Sequence, residues 1–233
     1  MFYYYDSSYF FYAIITTAIM FYAHLKVKTT FNKYANIKCR KNITGLFSAE
    51  SVLMQNEVDN VVISQIPGKY NDYYDPKTNK ICLSEFVYYD NSITSASVAA
   101  HEAGHAVQYS RNYTFGKIRQ GFVPIVQICS NLSTPLVFLG LFLPWNFNFI
   151  VDLGIILFST SVIFHLITLP VELDASRRAL SALECSGYFD GEELLAAKRV
   201  LNAAAFTYVA SLSSSFMYLF RLIAISNSRK KND

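Results

Sequence analysis

Four stretches of the chain lack Asp, Glu, Lys and Arg for roughly the length of a membrane crossing. They cover residues 7–25 (19 residues), 120–151 (32), 153–171 (19) and 200–220 (21). A spanning helix needs about 20 predominantly apolar residues. The windows therefore predict crossings near 7–25, 120–143 and 148–169. The fourth window carries Asn202, Thr207, Ser211, Ser213, Ser214 and Ser215. It reads either as a further crossing or as a buried or surface-lying helix.

Two polar segments lie between the windows, residues 26–118 and 170–199. The first predicts a short helix over 44–56, with Leu46, Ala49 and Leu53 on one face. Strands are expected at 61–66 and 80–84, the second after a turn at Asp75-Pro76-Lys77-Thr78-Asn79. The second strand reads either as a free edge on which an extended segment could add or as an ordinary paired strand. An Ala-rich helix follows over 92–110. Pro170 is expected to open a helix that ends near Cys185, before Gly187, and 191–201 a further helix. The division is then 1–25, an amino-terminal anchor; 26–118, the main polar region; 119–169, a transmembrane hairpin; 170–199, a helical segment; 200–226, a membrane or membrane-associated helix; and 227–233, a basic tail. The fold class is a mainly α integral membrane protein. It has three to four transmembrane helices and a small α+β region at the membrane surface.

Composition agrees. Hydrophobic residues make up 52% and charged residues 16%, where a soluble domain carries about 25% charged residues. A freely soluble enzyme, a disordered chain and a coiled coil fit poorly. A net charge of +3 without a dense Lys/Arg stripe excludes nucleic acid as a partner. The four cysteines are far apart, with no CxxC pair, and read as reduced thiols. Lys26, Lys28, Lys33, Lys38, Arg40 and Lys41 follow the first window, marking that flank as cytoplasmic. Arg111, Lys117 and Arg119 before the hairpin and Arg177 and Arg178 after it agree, and the uncharged turn at 144–148 reads as external. The chain is thus expected to be multi-pass in the cell membrane, with its polar segments inside. The tail Arg229-Lys230-Lys231 conflicts with this scheme if the last window crosses.

His101-Glu102-Ala103-Gly104-His105 is an HExxH motif. Histidines at i and i+4 share a helix face, so two imidazoles can reach one ion. Glu102 can reach a water on that ion without ligating it, and zinc lowers the pKa of such a water to roughly 7. With 4 His and 8 Glu in 233 residues, chance yields the motif about once in 400 such chains, so it is a strong signal. Gly104 costs the helix about 1 kcal/mol relative to Ala, which points to a close backbone approach there.

A catalytic zinc needs a third protein ligand. His24 and His165 lie in apolar windows and read as buried or interfacial aromatics. Asp152 is an acid in an apolar run, a functional suspect, but it follows the external turn closely. Glu172 fits better. Two crossings separate it from His105, which returns the chain to the same side, and it is expected in the first turn of the helix opened by Pro170. Asp174 is its near alternative. Arg177 and Arg178 read as partners of Asp174 or Glu184, or as groups that polarise a substrate carbonyl.

Several blocks together resemble the YugP-type membrane zinc metallopeptidases. They include Lys28-Thr29-Thr30-Phe31, Thr44-Gly45, Gly68 with Asp72-Tyr73-Tyr74-Asp75-Pro76, and Leu83-Ser84. The specific ones are the helix ending His101-Glu102-Ala103-Gly104-His105-Ala106-Val107-Gln108 and the block Pro170-Val171-Glu172-Leu173-Asp174-Ala175-Ser176. The resemblance implies a membrane-embedded neutral zinc peptidase. It is similar to a larger class in which HExxH, a pair of spans and a Glu in an E-x-x-A context follow one another. Ser176 stands where that class often has Asp.

The sequence reading is a zinc metallopeptidase with Zn2+ held by His101, His105 and Glu172, and Glu102 as general base; 26–118 is then a zincin-like catalytic region on the cytosolic side, and 170–199 the helix carrying the third zinc ligand. Its partners are the lipid bilayer and a peptide or membrane-protein substrate. The alternative is a non-catalytic membrane zinc-binding or scaffold protein. That would need a closed, four-ligand site, for which Cys185 is the one candidate.

Overall fold

The computed structural model describes residues 7–231. Its elements are α1 (Ser7–Ala35), α2 (Gly45–Gln55), β1 (Val62–Ile66), β2 (Tyr73–Asp75), β3 (Lys80–Ser84), α3 (Glu85–Tyr89), α4 (Ile93–Ser110), α5 (Thr114–Phe142), α6 (Asn148–Cys185) and α7 (Gly191–Lys231). The first six residues of the expected anchor, and Asn232 and Asp233 of the basic tail, lie outside the described residues. The chain is mainly helical with a small mixed sheet. Among the described residues α5, α6 and α7 are long and apolar enough to cross a membrane.

The helices outrun the polarity boundaries. α1 continues beyond residue 25 because no Gly or Pro interrupts it. Pro170 does not open a helix; it lies inside α6. Proline forfeits one backbone donor and crowds the preceding turn. A long helix absorbs that loss when the residues on both sides are helical, and α5 does the same with Pro124 and Pro135. The pieces expected at 191–201 and 200–220 are one helix, α7, because 192–231 contains no breaker. β2 and α3 had no clear signature, being three and five residues long.

The chain folds as two compact units. One gathers α1 up to Ala23, residues 118–169 and the chain from Tyr208 onward. Here α5 and the first part of α6 form a hairpin. Gly154 permits their close approach: an added Cβ would lie 2.6 Å from the Val137 side chain, and Ser133 Oγ donates to the Gly154 carbonyl at 2.8 Å. α7 runs antiparallel to α6. Ser215 Oγ meets His165 Nδ1 at 3.3 Å, the Tyr218 and Phe158 rings are 4.8 Å apart, and Ser226 Oγ donates to Asp152 Oδ1 at 2.6 Å. Much of the fourth apolar window therefore packs alongside the hairpin.

Two cations of the basic tail, Arg229 and Lys230, have partners in this unit. The Arg229 guanidinium donates to the carbonyl of Gly140, in the last turn of α5, and to that of Leu143, just beyond it, where helix-end carbonyls need outside partners. Lys230 Nζ pairs with Asp152 at 2.9 Å. Both cations thus have partners within the bundle.

The other unit comprises His24–Lys117 and Pro170–Thr207. Its sheet has the order β1-β3-β2. β1 pairs parallel with β3, Val62 opposite Lys80, and β2 pairs antiparallel, Tyr73 opposite Cys82. The strand that read either as a free edge or as an ordinary paired strand is thus the central one. Ile81, Leu83 and Ser84 are fully buried and Cys82 nearly so, the two-sided burial of an inner strand. The sheet edges belong to β1 and β2. Thr44 caps α2 by accepting from Phe47 N, and Ser92 caps α4 by accepting from Ser95 N; each cap is worth about 1 kcal/mol. Ala96, Ala99, Ala100, Ala103 and Ala106 are buried without remainder, so α4 is a slim rod enclosed by its neighbours.

Candidate metal centre

α4 carries His101 and His105 one turn apart, with ring centroids 4.7 Å from each other. Opposite them α6 carries Glu172, which is 1% exposed. Gly104 makes the approach possible. A Cβ there would fall 2.5 Å from the Ala175 carbonyl oxygen, so only glycine admits the α6 backbone at this point. The close approach expected at Gly104 is to the very helix that bears Glu172.

Glu172 Oε2 lies 3.2 Å from His101 Nε2 and 3.5 Å from His105 Nε2. Each residue offers one ligand atom, all within 4.8 Å of one another. A tetrahedral zinc with bonds of about 2.0–2.1 Å spaces its ligands about 3.3–3.4 Å apart. The two observed edges bracket that spacing. The donor set of two imidazoles and one carboxylate is one that zinc takes in open catalytic sites.

Both imidazoles are oriented from behind. Ser176 Oγ lies 3.1 Å from His101 Nδ1. Gln108 Oε1 lies 3.0 Å from His105 Nδ1. An amide oxygen only accepts, so His105 Nδ1 donates to Gln108, and Nε2 is the ring atom that faces Glu172. Gln108 Nε2 donates to the Val171 carbonyl at 2.8 Å and to Asp174 Oδ2 at 2.9 Å. Asp174 accepts in turn from Arg177 at 3.0 Å and Arg178 at 2.6 Å.

The electrostatics follow from this packing. Burial alone would raise the Glu172 carboxyl, but hydrogen bonds from His101 and His105 and their charge hold it well below the ordinary range. Burial would lower His105, yet the hydrogen bond and charge of Glu172 raise it. Glu102 is pushed up by burial, opposed by the two imidazoles and aided by Glu172 and Asp72. Burial also raises Asp72, against the hydrogen bonds it accepts from Ser84. Among the described residues no hydrogen bond or ion pair engages the Glu102 carboxylate.

The structure brings His101, His105 and Glu172 together, with Glu102 beside them on α4. The position of Glu172 has a different origin from the one expected. It sits well inside α6, so no helix-dipole term of a first turn acts on it. Asp174 stands behind His105 and is occupied by Gln108 and the two arginines. Asp152 belongs to the other unit and serves Lys230 and Ser226. His165 pairs with Ser161 and Ser215, His24 is exposed, and Cys185 is exposed outside the cluster. Gln108 and Ser176 had no assigned role in the sequence reading. Gln108 sits three residues after His105, on the same helix face, which is the signal that could have found it.

The profile of a family described as "Putative neutral zinc metallopeptidase" matches residues 9–227. The chain is also 40% identical over 223 residues to the "Putative membrane protease YugP" of Bacillus subtilis (strain 168), covering 95% of this chain and 98% of that protein. No solved structure matches the chain. Zinc is the cofactor of the matching family, and the His101/His105/Glu172 group has the donors and spacing to hold it.

Proposed function

The chain belongs to the neutral zinc metallopeptidase family, and from that membership we propose that it is a membrane-bound peptidase whose zinc is held by His101, His105 and Glu172. The observation that carries this reading is the pair of Nε2···Oε2 separations, 3.2 and 3.5 Å, at one buried carboxylate. When bound there, zinc polarises the scissile carbonyl and acidifies water.

Glu102 does the proton work. Its carboxylate takes a proton from the water that attacks the carbonyl carbon. It returns that proton to the amide nitrogen as the C–N bond breaks, leaving a carboxylic acid and an amine. Burial raises the Glu102 carboxyl above its ordinary value, the direction that favours a group which takes up a proton. Ser176 and Gln108 aim the two rings. The site faces the cytoplasm, a reading supported by the Lys and Arg residues flanking the apolar windows. The substrate is a peptide or a membrane protein.

The test uses the full-length protein in detergent, with zinc content and cleavage of a generic peptide measured together. Glu102→Gln keeps stoichiometric zinc and loses about 10²–10⁴-fold in rate. His101→Ala and Glu172→Ala lose the metal. Full activity in Glu102→Gln would remove the mechanism, and stoichiometric zinc in Glu172→Ala would remove the site.

A further inference from the structure

Gln108 is engaged on two sides. Its Oε1 faces His105 Nδ1 at 3.0 Å, and its Nε2 donates to Val171 O at 2.8 Å and Asp174 Oδ2 at 2.9 Å. Val171 and Asp174 flank Glu172 on α6. Gln108 is 3% exposed, so neither end exchanges its partner for bulk water. The amide direction is not ambiguous. A flipped Gln108 would set its oxygen against a carbonyl and a carboxylate, two acceptors with no proton between them. With the amine end committed to α6, the oxygen can only point at His105. The ring must then be protonated at Nδ1, leaving Nε2 to ligate.

We infer that Gln108 is a positioning residue for the metal, joining the orientation of one ligand to the backbone beside another. This rests on the ligand set proposed above and extends the functional motif of α4 to His101-Glu102-x-x-His105-x-x-Gln108. The two rings are held differently. The Ser176 hydroxyl can donate or accept, so it aims His101 without dictating its tautomer. Gln108 dictates that of His105. Outer partners of this kind typically alter metal affinity about 10–100-fold when removed.

The experiment separates orientation of His105 from mere joining of α4 to α6. Zinc affinity is measured by chelator competition, and the melting temperature of the zinc-free form by thermal scan, in full-length protein in detergent. Gln108→Met loses both the acceptor and the donors. Gln108→Glu keeps an acceptor for His105 but no longer donates to Val171 and Asp174. Both variants should melt lower than the parent. Zinc should bind about 10–100-fold more weakly in Gln108→Met and within a few-fold of the parent in Gln108→Glu. A joining role alone would weaken both equally, and that result overturns the inference, as does parental affinity in Gln108→Met. If Gln108→Met does not fold, Gln108→Lys serves instead. It keeps donors for α6 and has no acceptor for His105, so its zinc affinity should fall while its melting temperature holds; parental affinity there also overturns the inference. Glu172→Ala in the same assay is read independently. If it binds zinc like the parent, the ligand set is wrong whatever Gln108 does.

Discussion

Gly104 and Ala175 touch through their backbones: a Cβ on residue 104 would lie 2.5 Å from the Ala175 carbonyl oxygen. The contact sits between the two histidines of α4 and the glutamate of α6. Neither helix can yield by moving a flexible side chain, because the obstructing atom is main chain. Gly104→Ala should therefore cost about 1–3 kcal/mol of stability despite its better helix propensity. It should also widen the gap between Glu172 and the rings. Thermal melting and zinc content measured on one preparation test this, with both expected to fall. An unchanged melting temperature with full zinc would show that α6 is not held at that distance.

Metal removal should act on stability through the same three ligands. A ligand that binds only the folded state stabilises it by about 4.1 kcal/mol at a thousand times its Kd. A chelator should lower the melting temperature of the parent protein and leave that of Glu172→Ala unmoved. An equal drop in both would place the stabilising metal elsewhere.

Asp152 should be irrelevant to zinc and relevant to the bundle. It accepts from Ser226 Oγ and pairs with Lys230. Asp152→Ala should retain stoichiometric zinc and melt at a lower temperature, and the paired exchange Asp152→Lys with Lys230→Asp should recover part of the loss. Zinc loss in Asp152→Ala would return this residue to the list of ligands.

Asp90 gives a prediction in pH. It accepts from Ser92 N at 3.2 Å and Ser95 Oγ at 2.8 Å, and pairs with Lys38. Burial raises its carboxyl, but the Lys38 and serine hydrogen bonds prevail and hold it below its ordinary value. A depressed folded pKa means that the unfolded chain takes up the proton first as pH falls. The stabilisation is present above the ordinary Asp value of about 3.9 and disappears as pH drops through the folded value. The melting-temperature difference between parent and Asp90→Asn should be constant from neutrality to about pH 5 and shrink below about pH 4. A difference that grows with acidity would reverse the sign assigned here.

The apolar windows were legible in the sequence because lipid demands long uncharged runs, and α5, α6 and α7 follow that demand. HExxH was legible for a local reason: two residues one helical turn apart share a face whatever surrounds them. Gly104 was legible as a cost needing a return. What packing alone decided is of another kind. Whether Pro170 begins a helix or sits inside one depends on the segments to both sides, and here α6 runs through it. Whether β3 is an edge or a centre depends on which strands pair, and a three-residue partner such as β2 leaves little trace in composition. The arginines beside Asp174 were legible from their i+3 and i+4 spacing, but the distant partners, Lys230 for Asp152 and Gln108 for Asp174, were not. Periodicity and charge act over a few residues, so one chain suffices to read them. Contacts between residues 63 to 78 positions apart exist only once the helices have packed.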